Sequence, residues 1–257
     1  MFDEYFEKNQ EIIEKELKDS QFPYTAKALV SFYEKSKSIN TIVTESNFEK
    51  DYYPCVILFR CLIEHFIVNT YIWIQFRITN KDDVARNYFE EYLIYEMLKK
   101  INYSKKNNIP MSSRIAIAFK KIYDLLFEKQ IFNQKDIQKL NVKANQFDVR
   151  MISNFFDKNL PLEFDNIIKA KTIKSYLEYY NYFSSFVHGG PSADGMTTKE
   201  FKANFINEAN DFVSRFSFLI GIQRMYIFYF LLMNNKDFEA DFKLEMEKFE
   251  KSVINQD

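Results

Sequence analysis

Glycine is nearly absent from this chain. Four glycines occur in 257 residues, and three of them are Gly189, Gly190 and Gly195. Phosphate-binding loops and the Gly-x-Ser-x-Gly elbow of serine hydrolases need glycines at fixed spacings, so the sequence excludes these sites. Apolar residues recur with helical spacing and no alternating strand pattern is visible. We therefore predict an all-α fold, a multi-helix bundle, with helices over 82–100, about 134–158 and 169–188 among its members.

Cysteine and histidine are equally scarce. Cys55 and Cys61 are the only cysteines, and His65 and His188 are the only histidines. These numbers are too small for a disulfide framework, and the spacing does not suit a zinc site. The N-terminal sequence MFDEYFEKNQ is polar and lacks a signal-peptide pattern. We expect a cytoplasmic protein with reduced thiols, no metal and no cofactor.

The length suits a single all-helical domain over residues 1–257. Within it, the pattern suggests an N-terminal helical arm (1–45), a core (about 46–234) and a charged C-terminal helix (236–252). The sequence leaves open whether the terminal segments belong to the core.

Two apolar segments, 54–76 and 216–233, are long enough to suggest a membrane. The first contains Arg60, Glu64 and His65, and the second contains Arg224. A charge in mid-membrane costs about 2.5–3.5 kcal/mol on insertion scales. We therefore favour buried helices and keep membrane association as an alternative.

Positive charge is concentrated in residues 99–143, which hold eleven Lys/Arg against three acidic residues. Such an excess suits a nucleic-acid backbone. A solvated helix face explains it equally well.

Arg60 and Glu64 are the first candidate site residues. They lie one helical turn apart and share a face. An intrahelical ion pair would let both charges be buried. Alternatively, Arg60 binds an anion and Glu64 orients it, since the planar guanidinium fork matches phosphate. His65 lies about 100° around the helix from Glu64, and alone it fits a core histidine.

His188 is the second candidate. It follows a Tyr-rich helical pattern and precedes Gly189. Histidine titrates near neutral pH, as a general acid or base requires. Ser184 lies one turn earlier on the same face, and Ser185 is the next nearest hydroxyl. A histidine capping the helix C-terminus is the competing explanation.

Two stretches carry a family resemblance: LFRCLIE at 58–64 and YFSSFVHG at 182–189. They resemble the paired motifs of a group of bacterial all-helical proteins similar to the HEPN superfamily, with Arg-x-x-x-Glu in one helix and Ser-x-x-Val-His in a later one. Many HEPN domains are metal-independent, dimeric ribonucleases whose signature is Arg, four to six residues, then His. Arg60 and His65 fit that spacing, whereas the segment before His188 lacks the arginine.

The resemblance implies a HEPN-like core with additional helices and leaves three arrangements open: Arg60 with His65, Arg60 beside His188, or a degenerate site. It implies a metal-independent endoribonuclease-type effector of a toxin–antitoxin or anti-phage defence system. The expected partners are a second copy of the chain, RNA, and an antitoxin or defence-system protein. Ser184, Ser185 and Gly189 would contact the substrate, and Tyr180, with Tyr179 and Tyr182, would stack its bases. Packing in the core or at the dimer interface is the competing explanation for the tyrosines. The alternatives are a non-catalytic nucleotide-, nucleic-acid- or protein-binding module and a membrane-associated effector.

Overall fold

The fold is all-α, as the sequence predicts. The computed structural model describes residues 6–46, 48–106, 124, 134–159, 170–187 and 199–244, and these residues form helices and connecting turns without a strand. The elements, in chain order, are α1 (Gln10–Lys18), α2 (Pro23–Glu45), α3 (Phe48–Thr79), α4 (Asp83–Asn87), a π-helical turn (Tyr88–Tyr92), α5 (Leu93–Lys106), α6 (Gln134–Asn145), α7 (Val149–Asn159), α8 (Ala170–Val187) and α9 (Lys199–Asn234). A further helical stretch covers 236–244.

Helix α3 is the centre of the molecule, and it packs against α2, α7, α8 and α9. Its sequence is apolar around most of its circumference, and such a helix is stable only when neighbours cover it on several sides. Phe59 stacks on Phe216 of α9 with ring centroids 4.1 Å apart, and Trp73 stacks on Tyr226 at 5.5 Å. These two stacked pairs hold α3 against α9.

The N-terminal helices contribute to the same core. Ile13 of α1 and both Leu29 and Phe32 of α2 are almost completely buried. The first turn of α2 is capped from a distance, because the Asp82 carboxylate accepts hydrogen bonds from the backbone N–H of Tyr24 (2.9 Å) and of Thr25 (2.6 Å). Residues 23–45 of the predicted arm are thus tied into the bundle.

The structure differs from the sequence prediction at two breaks. The helix expected over 134–158 is interrupted at 146–148, where Phe147 is buried and the Asp148 carboxylate accepts a hydrogen bond (2.9 Å) from the N–H of Arg150 at the start of α7. The helix expected over 82–100 contains the π-helical turn. Neither break carries a glycine or a proline, which explains why the sequence did not signal them.

Two helical stretches, Asp51–Thr79 and Asn210–Asn234, are long and apolar enough to cross a bilayer. In their most apolar windows, 67% and 56% of the residues are buried inside the protein. Core helices of soluble proteins have the same length and composition, so this property gives a membrane only weak support.

Candidate functional site

Arg60 joins two helices that are far apart in the sequence. Its Nη1 donates to Glu64 Oε2 at 2.8 Å, so the ion pair suggested by the spacing on α3 is present. Its Nη2 donates to the Tyr180 hydroxyl at 3.0 Å, and its Nε donates to Ser184 Oγ at 3.3 Å. The guanidinium carbon also lies 5.0 Å from the centre of the Tyr180 ring. We call Arg60, Glu64, Tyr180 and Ser184 the arginine cluster.

Helical spacing and aromatic packing together build the arginine cluster. Each helix supplies a pair of residues four apart, Arg60 with Glu64 on α3 and Tyr180 with Ser184 on α8, and such pairs share a face. The two faces are brought together by rings on the same helices. Phe59 contacts Phe183 at 6.3 Å, and Phe66 contacts Tyr176 at 5.7 Å between ring centroids.

The surroundings of Arg60 and Tyr180 set the protonation state of both side chains. The Arg60 side chain is 16% exposed and that of Glu64 is 38% exposed. Burial lowers the pKa of Arg60, but the charge of Glu64, together with Tyr180 and Cys61, more than offsets this and raises the pKa above its ordinary value. Burial, and then the charge of Glu64, raise the pKa of Tyr180. At neutral pH the guanidinium is therefore charged and the phenol is protonated.

His65 has different neighbours from Arg60. Its ring lies 5.8 Å from the ring of Phe32 on α2, and its Nδ1 is buried without a hydrogen-bond partner among the described residues. Burial, with a smaller contribution from Lys35, lowers the pKa of His65 to about 4. At neutral pH this imidazole is uncharged.

Glu64 is part of the surroundings of both Arg60 and His65. Besides binding Arg60, it lines a cavity of about 200 Å³, which we call the tyrosine cavity. The residues that line this cavity are Phe32, Cys61, Glu64, His65, Val68, Tyr88, Tyr92, Glu96 and Phe147. The side chain of one glutamate thus faces both regions.

The sequence did not single out the tyrosine cavity, although a signal for it exists. Tyr88, Tyr92 and Glu96 follow one another at intervals of four residues. This spacing places side chains on one face of a helix, and all three line the cavity.

Several predicted site residues lie outside the described part of the chain. His188 and Gly189 are among them, and so is the side chain of Ser185, although its backbone belongs to α8. Most of the basic segment, 107–123 and 125–133, is also outside it. Among the residues that are described, no group of three or more His, Cys, Asp and Glu side chains could hold a metal ion.

The fold and the arginine cluster define an all-helical protein in which two helices share a largely buried arginine. The chain belongs to a family of unknown function, DUF5677, whose model matches residues 24–204, from the start of α2 into α9. The match includes the whole arginine cluster and the tyrosine cavity. Searches among curated proteins and among solved structures found no match.

Proposed function

We propose that the protein is a metal-independent endoribonuclease-type effector of a toxin–antitoxin or anti-phage defence system, acting as a cytoplasmic homodimer. The proposal begins from the resemblance of the two motifs to HEPN-like proteins. The structural observation that supports it is that Arg60 donates hydrogen bonds to Tyr180 and Ser184 on α8. The described part of α8 ends at Val187, and His188 is the next residue of the chain.

The chemistry needs a fixed positive charge and a proton carrier. Arg60 would stabilise the extra negative charge on the phosphorane, an effect worth about 10²–10³ in rate for a single preorganised donor. His188 would move the proton of the ribose 2′-hydroxyl or of the leaving oxygen, which contributes about 10²–10⁴. Nη1 and Nη2 of an arginine each carry two N–H bonds. The second N–H of each is suited to a phosphate oxygen while Glu64 and Tyr180 keep the fork in place.

The surroundings of His65 favour His188 as the acid–base residue. A general acid or base works best when its pKa lies near the working pH, whereas the pKa of His65 is lowered to about 4. Its ring packs against Phe32 of α2, and Arg60 is directed towards α8. His65 is better suited to the core or to the cavity that it lines.

A non-catalytic binding module is the second candidate. The observation that favours it is that Nε, Nη1 and Nη2 of Arg60 each already donate to an acceptor within the protein. Under this alternative the arginine cluster joins α3 to α8 and His188 caps a helix. A membrane-associated effector is a third candidate, which draws only on the two long apolar helices.

The test is inducible expression of the native chain in bacteria, with growth and total RNA followed at equal protein levels. The variants are Arg60→Ala, His188→Ala and His65→Ala. Arg215→Ala is the matched control, because Arg215 also pairs with a carboxylate four residues away (Asp211) and donates to a tyrosine of α8, Tyr179 at 2.9 Å. Purified proteins are incubated with total RNA in the presence of EDTA.

We expect growth arrest and RNA fragments for the native chain, His65→Ala and Arg215→Ala, and their loss in Arg60→Ala and His188→Ala. Fragmentation that persists in Arg60→Ala would refute the proposed role of the arginine. Loss of the RNA fragments in His65→Ala but not in His188→Ala would assign the proton transfer to His65. Intact RNA with the native chain, both in cells and in vitro, would refute the ribonuclease and favour the binding module.

A further inference from the structure

The tyrosine cavity has a wall of stacked and crossed aromatic rings. Tyr88 and Tyr92 stack with an interplanar angle of 15° and centroids 5.6 Å apart. Phe147 meets both rings edge-on, at 5.1 Å and 5.6 Å, and Phe32 lies 5.2 Å from Tyr88. The two tyrosines are the first and last residues of the π-helical turn, and π-turns inside helices occur frequently at functional sites.

The charged groups of the cavity are both carboxylates. Glu64 is paired with Arg60, which is not part of the lining. Glu96 accepts a hydrogen bond from the Tyr92 hydroxyl. The lining contains no lysine or arginine. Two lysines lie near the lining without being part of it. Lys35 Nζ is 5.4 Å from the centre of the Phe32 ring, and Lys99 Nζ is 4.7 Å from the centre of the Tyr95 ring and lines an adjoining cavity that Glu96 also lines. The charge of Glu96 is therefore not neutralised by another lining residue.

The two tyrosines and the histidine of the lining are neutral near pH 7. Burial, and then nearby carboxylates, raise the pKa of Tyr88 to about 12 and also raise the pKa of Tyr92. The pKa of His65 is lowered to about 4, chiefly by burial. The cavity thus combines aromatic faces, phenol hydroxyls and negative charge. It would repel a phosphate or a carboxylate ligand.

We propose that the tyrosine cavity binds a small organic cation, a guanidinium or alkylammonium group held by Glu96 and Glu64 against the faces of Tyr88 and Tyr92. Cations are attracted to the faces of aromatic rings, more strongly when water is excluded. Hydrogen bonds from a cationic donor to a carboxylate are about twice as strong as those between neutral groups. A volume of about 200 Å³ suits a ligand of this size.

The binding can be measured by isothermal titration calorimetry on the purified full-length protein. The probes are methylguanidinium and 1,4-diaminobutane, and their neutral counterparts of matching shape are methylurea and 1,4-butanediol. We expect the cations to bind and the neutral molecules to bind at least about tenfold more weakly, a difference of about 1.4 kcal/mol. Equal affinity for charged and neutral probes, or no binding of either cation, would overturn the proposal.

Glu96→Gln keeps the size of the side chain and removes its charge, so we expect it to weaken cation binding at least about tenfold. Glu34→Gln is the matched control, because Glu34 is an exposed glutamate of α2 that is not part of the lining. Tyr92→Leu removes one aromatic face and is the second variant, so the proposal remains testable if Glu96→Gln does not fold. Unchanged affinity in whichever variants are folded by circular dichroism would refute the assignment. The outcome is independent of RNA cleavage, since neither probe nor readout involves RNA.

Discussion

Acidification should destabilise this protein through His65. The pKa of His65 is lowered from its ordinary 6.5 to about 4 in the folded chain, so the unfolded chain binds a proton at a higher pH than the folded one. The corresponding stability is fully present above pH 6.5 and is lost as the pH falls towards 4. A shift of this size corresponds to about 3 kcal/mol in total, of which about 2 kcal/mol is lost by pH 5.

Urea unfolding at pH 8 and pH 5 measures this loss of stability. Carboxylates also titrate between these pH values, and comparison with His65→Gln separates the contribution of His65 from theirs. We expect the native chain to lose about 2 kcal/mol more than His65→Gln between the two pH values. His188→Gln is the control, because it removes the other histidine of the chain. The same pH dependence in the native chain and in His65→Gln would refute the reasoning, and so would a flattened dependence in His188→Gln.

Two further substitutions test contacts between helices by urea unfolding. Asp82→Ala leaves the part-buried backbone N–H of Tyr24 and the buried N–H of Thr25 without their acceptor and should cost about 2–4 kcal/mol. Asp83→Ala, at an exposed neighbour, should cost less than about 0.5 kcal/mol, and similar losses in both variants would contradict the remote cap. Tyr180→Phe keeps the ring beside Arg60 but removes the hydroxyl that accepts a hydrogen bond from Nη2. We expect the free energy of unfolding to fall by about 1.5–3 kcal/mol, and an unchanged urea midpoint would show that this bond contributes nothing.

Helical spacing made the fold class and the local part of the site predictable. The helix expected over 169–188 is α8, Ala170–Val187. The Arg60–Glu64 pair depends only on two residues four positions apart, so it could be inferred without a structure. For the same reason, Ser184 could be placed on one face of α8.

The partners of these faces could not be predicted. Periodicity shows which side of a helix is apolar, but it does not show which other helix covers that side. Arg60 and Tyr180 are 120 positions apart, and the Asp82 cap acts on a helix start 57 positions earlier. The π-helical turn carries neither glycine nor proline, so nothing in the sequence marks its position.

Glu64 links the two proposals through one charge. Its carboxylate neutralises Arg60 at 2.8 Å and also lines the tyrosine cavity. A phosphate bound to the remaining N–H groups of Arg60 would share the charge of the guanidinium with Glu64 and leave more of the carboxylate's charge for a cation in the cavity. A cation in the cavity would, in turn, weaken the hold of Glu64 on Arg60. Because such a coupling between two bound ligands is reciprocal, each ligand would raise the affinity for the other by the same factor.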